Sequence, residues 1–141
     1  MYNILVHAHS GLRWIVLLLI IYNVLNAMIA LSSKRPFTAS DTKKSLIGMS
    51  SFHLQIVVGL ILYFISPKVQ FSANTMSNAV LRFFTVEHTV GMLIAIILVT
   101  IAHRKAKSGN VSATFWFYTI GLLVILVSIP WPFRGFGTGW V

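Results

Sequence analysis

The run Trp14–Leu31, WIVLLLIIYNVLNAMIAL, decides the fold. It carries no charge, and an apolar stretch of about 18 residues or more reads as a helix that crosses a bilayer. Its apolar character extends back to about Ile4, and three similar runs follow: about Lys44 to Ile65, about Ala79 to His103, and about Ala113 to Ile129. Between them lie a loop containing Pro36, a polar loop from Lys68 to Asn78 and a basic turn from Arg104 to Asn110. Pro36 cannot continue a helix, and Ser40 or Asp41 can cap the next one. Ser66-Pro67 stops the second run and Pro130 the fourth, after which comes an aromatic, glycine-rich tail from Phe133 to Trp140. The composition agrees: 57% of the residues are hydrophobic and 9% charged, against about 25% charged in soluble domains. A soluble globule and a disordered chain are both excluded. Four spans of ~20 residues use roughly 80 positions, which fits a chain of 141 residues, whereas six do not. The expected fold is an all-α membrane protein, a single antiparallel four-helix transmembrane bundle. The N-terminal segment lacks a basic region and a small-residue cleavage site, so it reads as a span rather than a signal peptide.

The chain has no cysteine, which excludes disulfides, iron–sulfur clusters, zinc–thiolate sites and covalently attached c-type haem. The net charge is +9, but the positive residues flank apolar spans. They read as topology signals and contacts to anionic lipid, and nucleic acid is not an expected partner. Lys34, Arg35, Lys43, Lys44, Arg104, Lys105 and Lys107 lie on one side; Arg13, Lys68, Arg82 and Arg134 lie on the other. The larger group is expected in the cytoplasm, which puts both termini on the non-cytoplasmic side of a bacterial inner membrane. Trp116 on the inner side, with Trp14 and Trp131 on the outer, sits where interfacial aromatics belong.

Within the spans lie His7, His9, Arg13, His53, Gln55, Glu87 and His88. An ionisable residue at the bilayer centre costs about 2.5–3.5 kcal/mol on insertion scales, so each is a candidate for function. At 1.5 Å per residue, His9 lies about 10 Å, His88 about 13 Å and His53 about 18 Å below the outer surface. His9 and His88 match best in level. His7 and His9 are two apart, about 200° around a helix, so only one can face the bundle. Arg13, four residues on, shares the face of His9. His88, Gly91 and Ala95 form one stripe whose small residues admit a close helix or a flat ligand. His103, beside Arg104 and Lys105, reads as an interfacial residue. Two imidazoles at one depth on different helices can hold a haem iron, with arginines for its propionates. The alternative is a copper or other divalent ion held by His9, His88, His53 or Glu87. Glu87 can orient an imidazole, carry a proton or pair with Arg13 or Arg82. There is no phosphate-binding glycine loop, no H-E-x-x-H and no G-x-S-x-G.

The segments His9-Ser10-Gly11-Leu12-Arg13-Trp14, His53-Leu54-Gln55 with Gly59 and Tyr63–Pro67, Arg82–His88, and Ile129-Pro130-Trp131 resemble a family of small four-helix membrane proteins common in Bacteroidetes and often labelled "cytochrome B". The resemblance covers nearly the whole chain, and extends more distantly to b-type membrane cytochromes and haem A synthase. It implies haem b or a role in respiratory electron transfer, and marks His9, Arg13, His53, Gln55, Glu87 and His88. Span 4 has no histidine, which departs from the b-type bundles and counts against a second haem. The expected function is haem-b binding in electron transfer, with quinone as a candidate partner. His88 is the first axial ligand, His9 its partner and His53 the substitute; Arg13 and Arg82 hold propionates and Glu87 handles a proton. A non-enzymatic subunit or assembly factor of a larger respiratory complex, or a homo-oligomer, is the alternative outside catalysis.

Overall fold

Each helix begins and ends where the local chemistry dictates. The computed structural model describes residues 1–140. Helix α1 spans Tyr2–Ser32 and ends ahead of Pro36, with Lys34 in a left-handed conformation at φ 52°. Helix α2 spans Ala39–Ile65. Its cap is Thr38, ahead of the expected Ser40 or Asp41: the Thr38 hydroxyl accepts from Asp41 N at 3.2 Å, and the Asp41 carboxylate accepts from Thr38 N at 2.8 Å. This reciprocal box satisfies two orphan donors at once, so the helix starts before the apolar run does.

The third rod is built in three parts: α3 (Ala79–Arg82), a π-helical turn (Phe83–Glu87) and α4 (His88–Lys107). Asn78 caps it by accepting from Val80 N and Leu81 N. It continues to Lys107, past the expected end at His103, because cations are favourable in the last turn of a helix. A turn through Gly109, at φ 76°, leads to α5 (Val111–Ser128). Beyond it, Pro132–Arg134 form a short 3-10 turn that begins the tail.

The helices pack in a ring. α1 lies against α2 and α5, and α4 against α2 and α5. Neighbours are antiparallel: the start of α1 meets the end of α2 (Gln55 to His9), and the start of α4 meets the end of α5 (His88 to Ser128). The bundle therefore has a loop end, holding the 33–38 and 108–110 connections, and a terminal end, holding the start of α1 and the tail. Val16, Leu17, Ile20, Phe52, Val99, Tyr118 and Ile125 fill the core. Close approaches are made at glycines: a Cβ at Gly48 would lie 2.7 Å from Asn23 Nδ2, and one at Gly91 would run into Ser128 Oγ. The outer surface is as apolar as the core, with Leu18 68% and Val127 73% exposed. All four rods are long and apolar enough to cross a membrane, and no strand occurs among the described residues.

Candidate functional site

His9 and His88 face one another from the non-adjacent helices α1 and α4. Their ring centroids are 6.4 Å apart and their planes are crossed at 82°. The partner of His88 follows from the end of α5. The carbonyl of Ser128 has no helical donor, because the residue four positions on is Pro132, which has no N–H. His88 Nδ1 bonds to that oxygen at 2.7 Å. A carbonyl only accepts, so Nδ1 carries the proton and Nε2 keeps its lone pair.

His9 is held from the other side by α2. Gln55, 6% exposed, donates through Nε2 to the His9 carbonyl at 2.9 Å and lies 3.4 Å from His9 Nε2. One turn further on, a Cβ at Gly59 would stand 3.0 Å from His9 Cε1, so glycine gives the ring its room. Among the described residues, three buried polar atoms at this site have no partner: His9 Nδ1, Gln55 Oε1 and Arg13 Nε. Buried polar atoms are ordinarily bonded to protein, ordered water, an ion or a ligand. All three residues line one cavity of about 180 Å³, together with Tyr63, Phe84 and His88. The cavity reaches Tyr2, Ser66, Lys68 and Thr138 at the terminal end.

The π-helical turn directly precedes His88. Such turns insert one extra residue into a helix and often occur at functional sites. Here the turn is braced by Tyr63, whose hydroxyl donates to Thr85 O at 3.0 Å, and by Thr89, which donates to Phe84 O at 3.1 Å. It also brings Arg82 and Glu87 together at 2.8 Å on the exposed side.

The structure thus separates the candidates named from sequence. His9, Arg13 and His88 converge on the cavity. Arg82 and Glu87 neutralise each other outside it. His53 is exposed, and its Nδ1 donates to Met49 O of its own helix at 2.9 Å. It lies two residues from Gln55, about 200° around α2, so when Gln55 faces the bundle His53 faces away. His7, two residues before His9, is exposed for the same reason. Among the described residues no three His, Asp or Glu side chains come together as a metal site. The sets His9, His53, His88 and His9, His88, Glu87 are therefore not assembled.

His103 faces the bundle. It is 7% exposed and bonds through Nδ1 to Ser45 Oγ at 3.1 Å, and Ser45 Oγ lies 2.6 Å from the Tyr118 hydroxyl. The signal was the helical spacing of Ala95, Val99, Ala102 and Ala106, which are all buried and share the stripe of His103. The Ser128 carbonyl and the tail left no side-chain pattern in the sequence. Comparison of the chain with protein-family models, curated proteins and solved structures finds no match.

Proposed function

We propose that this is a multi-pass inner-membrane protein that binds one haem b through His9 and His88 and serves in electron transfer. The observation that carries the reading is the crossed imidazole pair, held 6.4 Å apart by non-adjacent helices across a cavity. A metal–nitrogen bond is about 2 Å, and a ring nitrogen lies about 1 Å from its ring centre given ordinary C–N lengths. Two imidazoles sharing one ion therefore stand about 6 Å apart between centres. The bond from His88 Nδ1 to a backbone carbonyl is the arrangement that orients a ligating histidine and leaves Nε2 for the metal. Bound haem would supply one-electron chemistry between partners in the membrane.

The chain's own residues set the surroundings. Gln55 holds the backbone of His9, and Gly59 leaves space beside its ring. Tyr63, Phe84 and Met92 supply apolar wall, and Arg13, with its Nε unpartnered, is a donor for an anionic edge. Arg82 and Glu87 are occupied by each other, so neither is assigned to propionate or proton. The donor set fits the group; the cavity of about 180 Å³ would have to widen to take it, and Thr138 of the tail stands in its wall. The loop end carries seven Lys and Arg residues and the terminal end four, which favours the loop end in the cytoplasm.

The test is an absorption spectrum, oxidised and dithionite-reduced, of detergent-purified protein from haem-supplied cells. The expected result is a Soret band with the sharp reduced bands of low-spin b-type haem. His9→Ala and His88→Ala should each abolish the low-spin signature, while His53→Ala leaves it intact. A wild-type sample with no Soret band removes the reading. If the His9 and His88 variants then lose only stability or co-purifying partners, the crossed pair is structural glue in a subunit or assembly factor.

A further inference from the structure

The chain contains two acidic side chains, and both are committed. Asp41 pairs with Arg35 at 2.7 Å and Glu87 with Arg82 at 2.8 Å. No side-chain carboxylate remains for Arg13 and Lys68, the two cations that line the cavity. Backbone carbonyls of the tail hold them instead. Arg13 Nη2 donates to Trp140 O at 2.5 Å, and Lys68 Nζ donates to Phe136 O at 3.2 Å and Gly137 O at 3.1 Å. Arg13 is 9% exposed, and its partner among the described residues is a peptide oxygen.

The tail reaches these cations by doubling back. Gly135 and Gly137 take φ of 73° and 66°, a left-handed backbone that glycine adopts without steric penalty. Thr138 Oγ1 donates to Pro130 O at 2.6 Å, and Phe136 stacks on Phe83 at 4.3 Å. Pro130 and Thr138 form part of the cavity wall. With the tail seated, the cavity measures about 180 Å³, below the roughly 300–1,000 Å³ of pockets that bury a ligand of cofactor size.

We propose that Arg13 and Lys68 form a two-point anion subsite at the mouth of the cavity, and that the tail is a strap whose carbonyls hold this subsite until the carboxylates of a ligand displace them. The proposal rests on the haem reading for the class of ligand, an apolar macrocycle bearing two carboxylates. A hydrogen bond between two ionised groups is roughly twice as strong as one between neutral groups, so carboxylates outcompete peptide oxygens for both cations. Displacement removes the strap's polar ties to the two cations and leaves it held by Trp14 Nε1, which donates to Trp140 O at 2.9 Å, by the Phe136–Phe83 stack and by the Thr138–Pro130 bond; so loosened, it shifts about its two glycines and opens volume that the seated tail denies.

The chain has no cysteine, so a nitroxide on Gly139→Cys reports on the strap alone. Gly139 is exposed. The labelled full chain, in nanodiscs, is titrated with metal-free protoporphyrin IX or its dimethyl ester, binding being followed by porphyrin fluorescence polarisation. The label is restricted without ligand and becomes mobile as the diacid binds. The ester binds about tenfold more weakly and leaves the label restricted. In the labelled Arg13→Gln/Lys68→Gln chain, the label is more mobile from the start than in wild type, and diacid and ester bind alike. A label that stays restricted while porphyrin is bound, equal binding of diacid and ester to the wild-type chain, or no porphyrin binding overturns the proposal. The probe carries no iron, so this result is independent of ligation by His9 and His88. A mobile strap with iron haem that lacks a low-spin spectrum would sink the ligand assignment and spare the subsite.

Discussion

Gly59 and Gly11 are both helical glycines, yet their surroundings give them opposite roles. A Cβ at Gly59 meets His9 Cε1 at 3.0 Å, whereas nothing lies within 4 Å of one at Gly11. Gly59→Ala is expected to displace the His9 ring, to lower stability by about 1–3 kcal/mol as overpacking does, and to weaken the low-spin signature. Gly11→Ala should raise stability by up to about 1 kcal/mol through helix propensity. Thermal melts and reduced spectra of the two variants, run together, separate packing at the site from a general effect of losing glycine. The same contrast governs the histidines. Spacing alone states that only one of His7 and His9 faces inward, and Arg13 on the face of His9 indicates which. It could not indicate that Gln55, rather than His53, faces the bundle on α2, because both are polar and apolar residues lie on both faces of that helix.

Among the elements, α2 is the one whose start rests on side-chain chemistry. Thr38→Ala removes the acceptor for Asp41 N and half of the capping box. A loss of about 0.5–2 kcal/mol is expected, read as a lower melting temperature with an unchanged haem spectrum, since the cap lies at the loop end and the cavity at the other. A melt that matches wild type would mean that the box is redundant with the Arg35–Asp41 pair. The π-helical turn belongs to this scale as well. Phe83–Glu87 contains neither proline nor glycine, so no local residue announces the turn. It is braced by Tyr63 and Thr89 and accompanied by the Arg82–Glu87 pair, and the first of these contacts comes from another helix.

Across the whole molecule the two ends differ in kind. At the loop end, Ser45 bonds both His103 and Tyr118, so the buried polar groups there are partnered. At the terminal end, His9, Gln55 and Arg13 each keep an unpartnered buried atom beside a cavity. On the topology proposed from the charge distribution, these ends lie on opposite sides of the membrane. In intact cells, a membrane-impermeant maleimide is expected to label Gly139→Cys, at the terminal end, and to spare Ser33→Cys, at the loop end, until the cells are lysed. The reverse pattern would invert the topology.

The sequence by itself determined four apolar helices, their approximate limits, and a small set of polar residues with no business in hydrocarbon. Length and hydropathy are properties of the chain and need no partner to be read. Only the tertiary structure decided which of those residues meet. In a soluble bundle, amphipathic patterning tells the inner face from the outer. Here the surface is as apolar as the core, so that signal is absent and rotation is set by packing: Gly48 on Asn23, Gly91 on Ser128, Gly59 on His9. Those contacts turn His9 and His88 toward each other and His53 away, and the backbone oxygens of Ser128 and the tail, which have no letter in a sequence, complete the site.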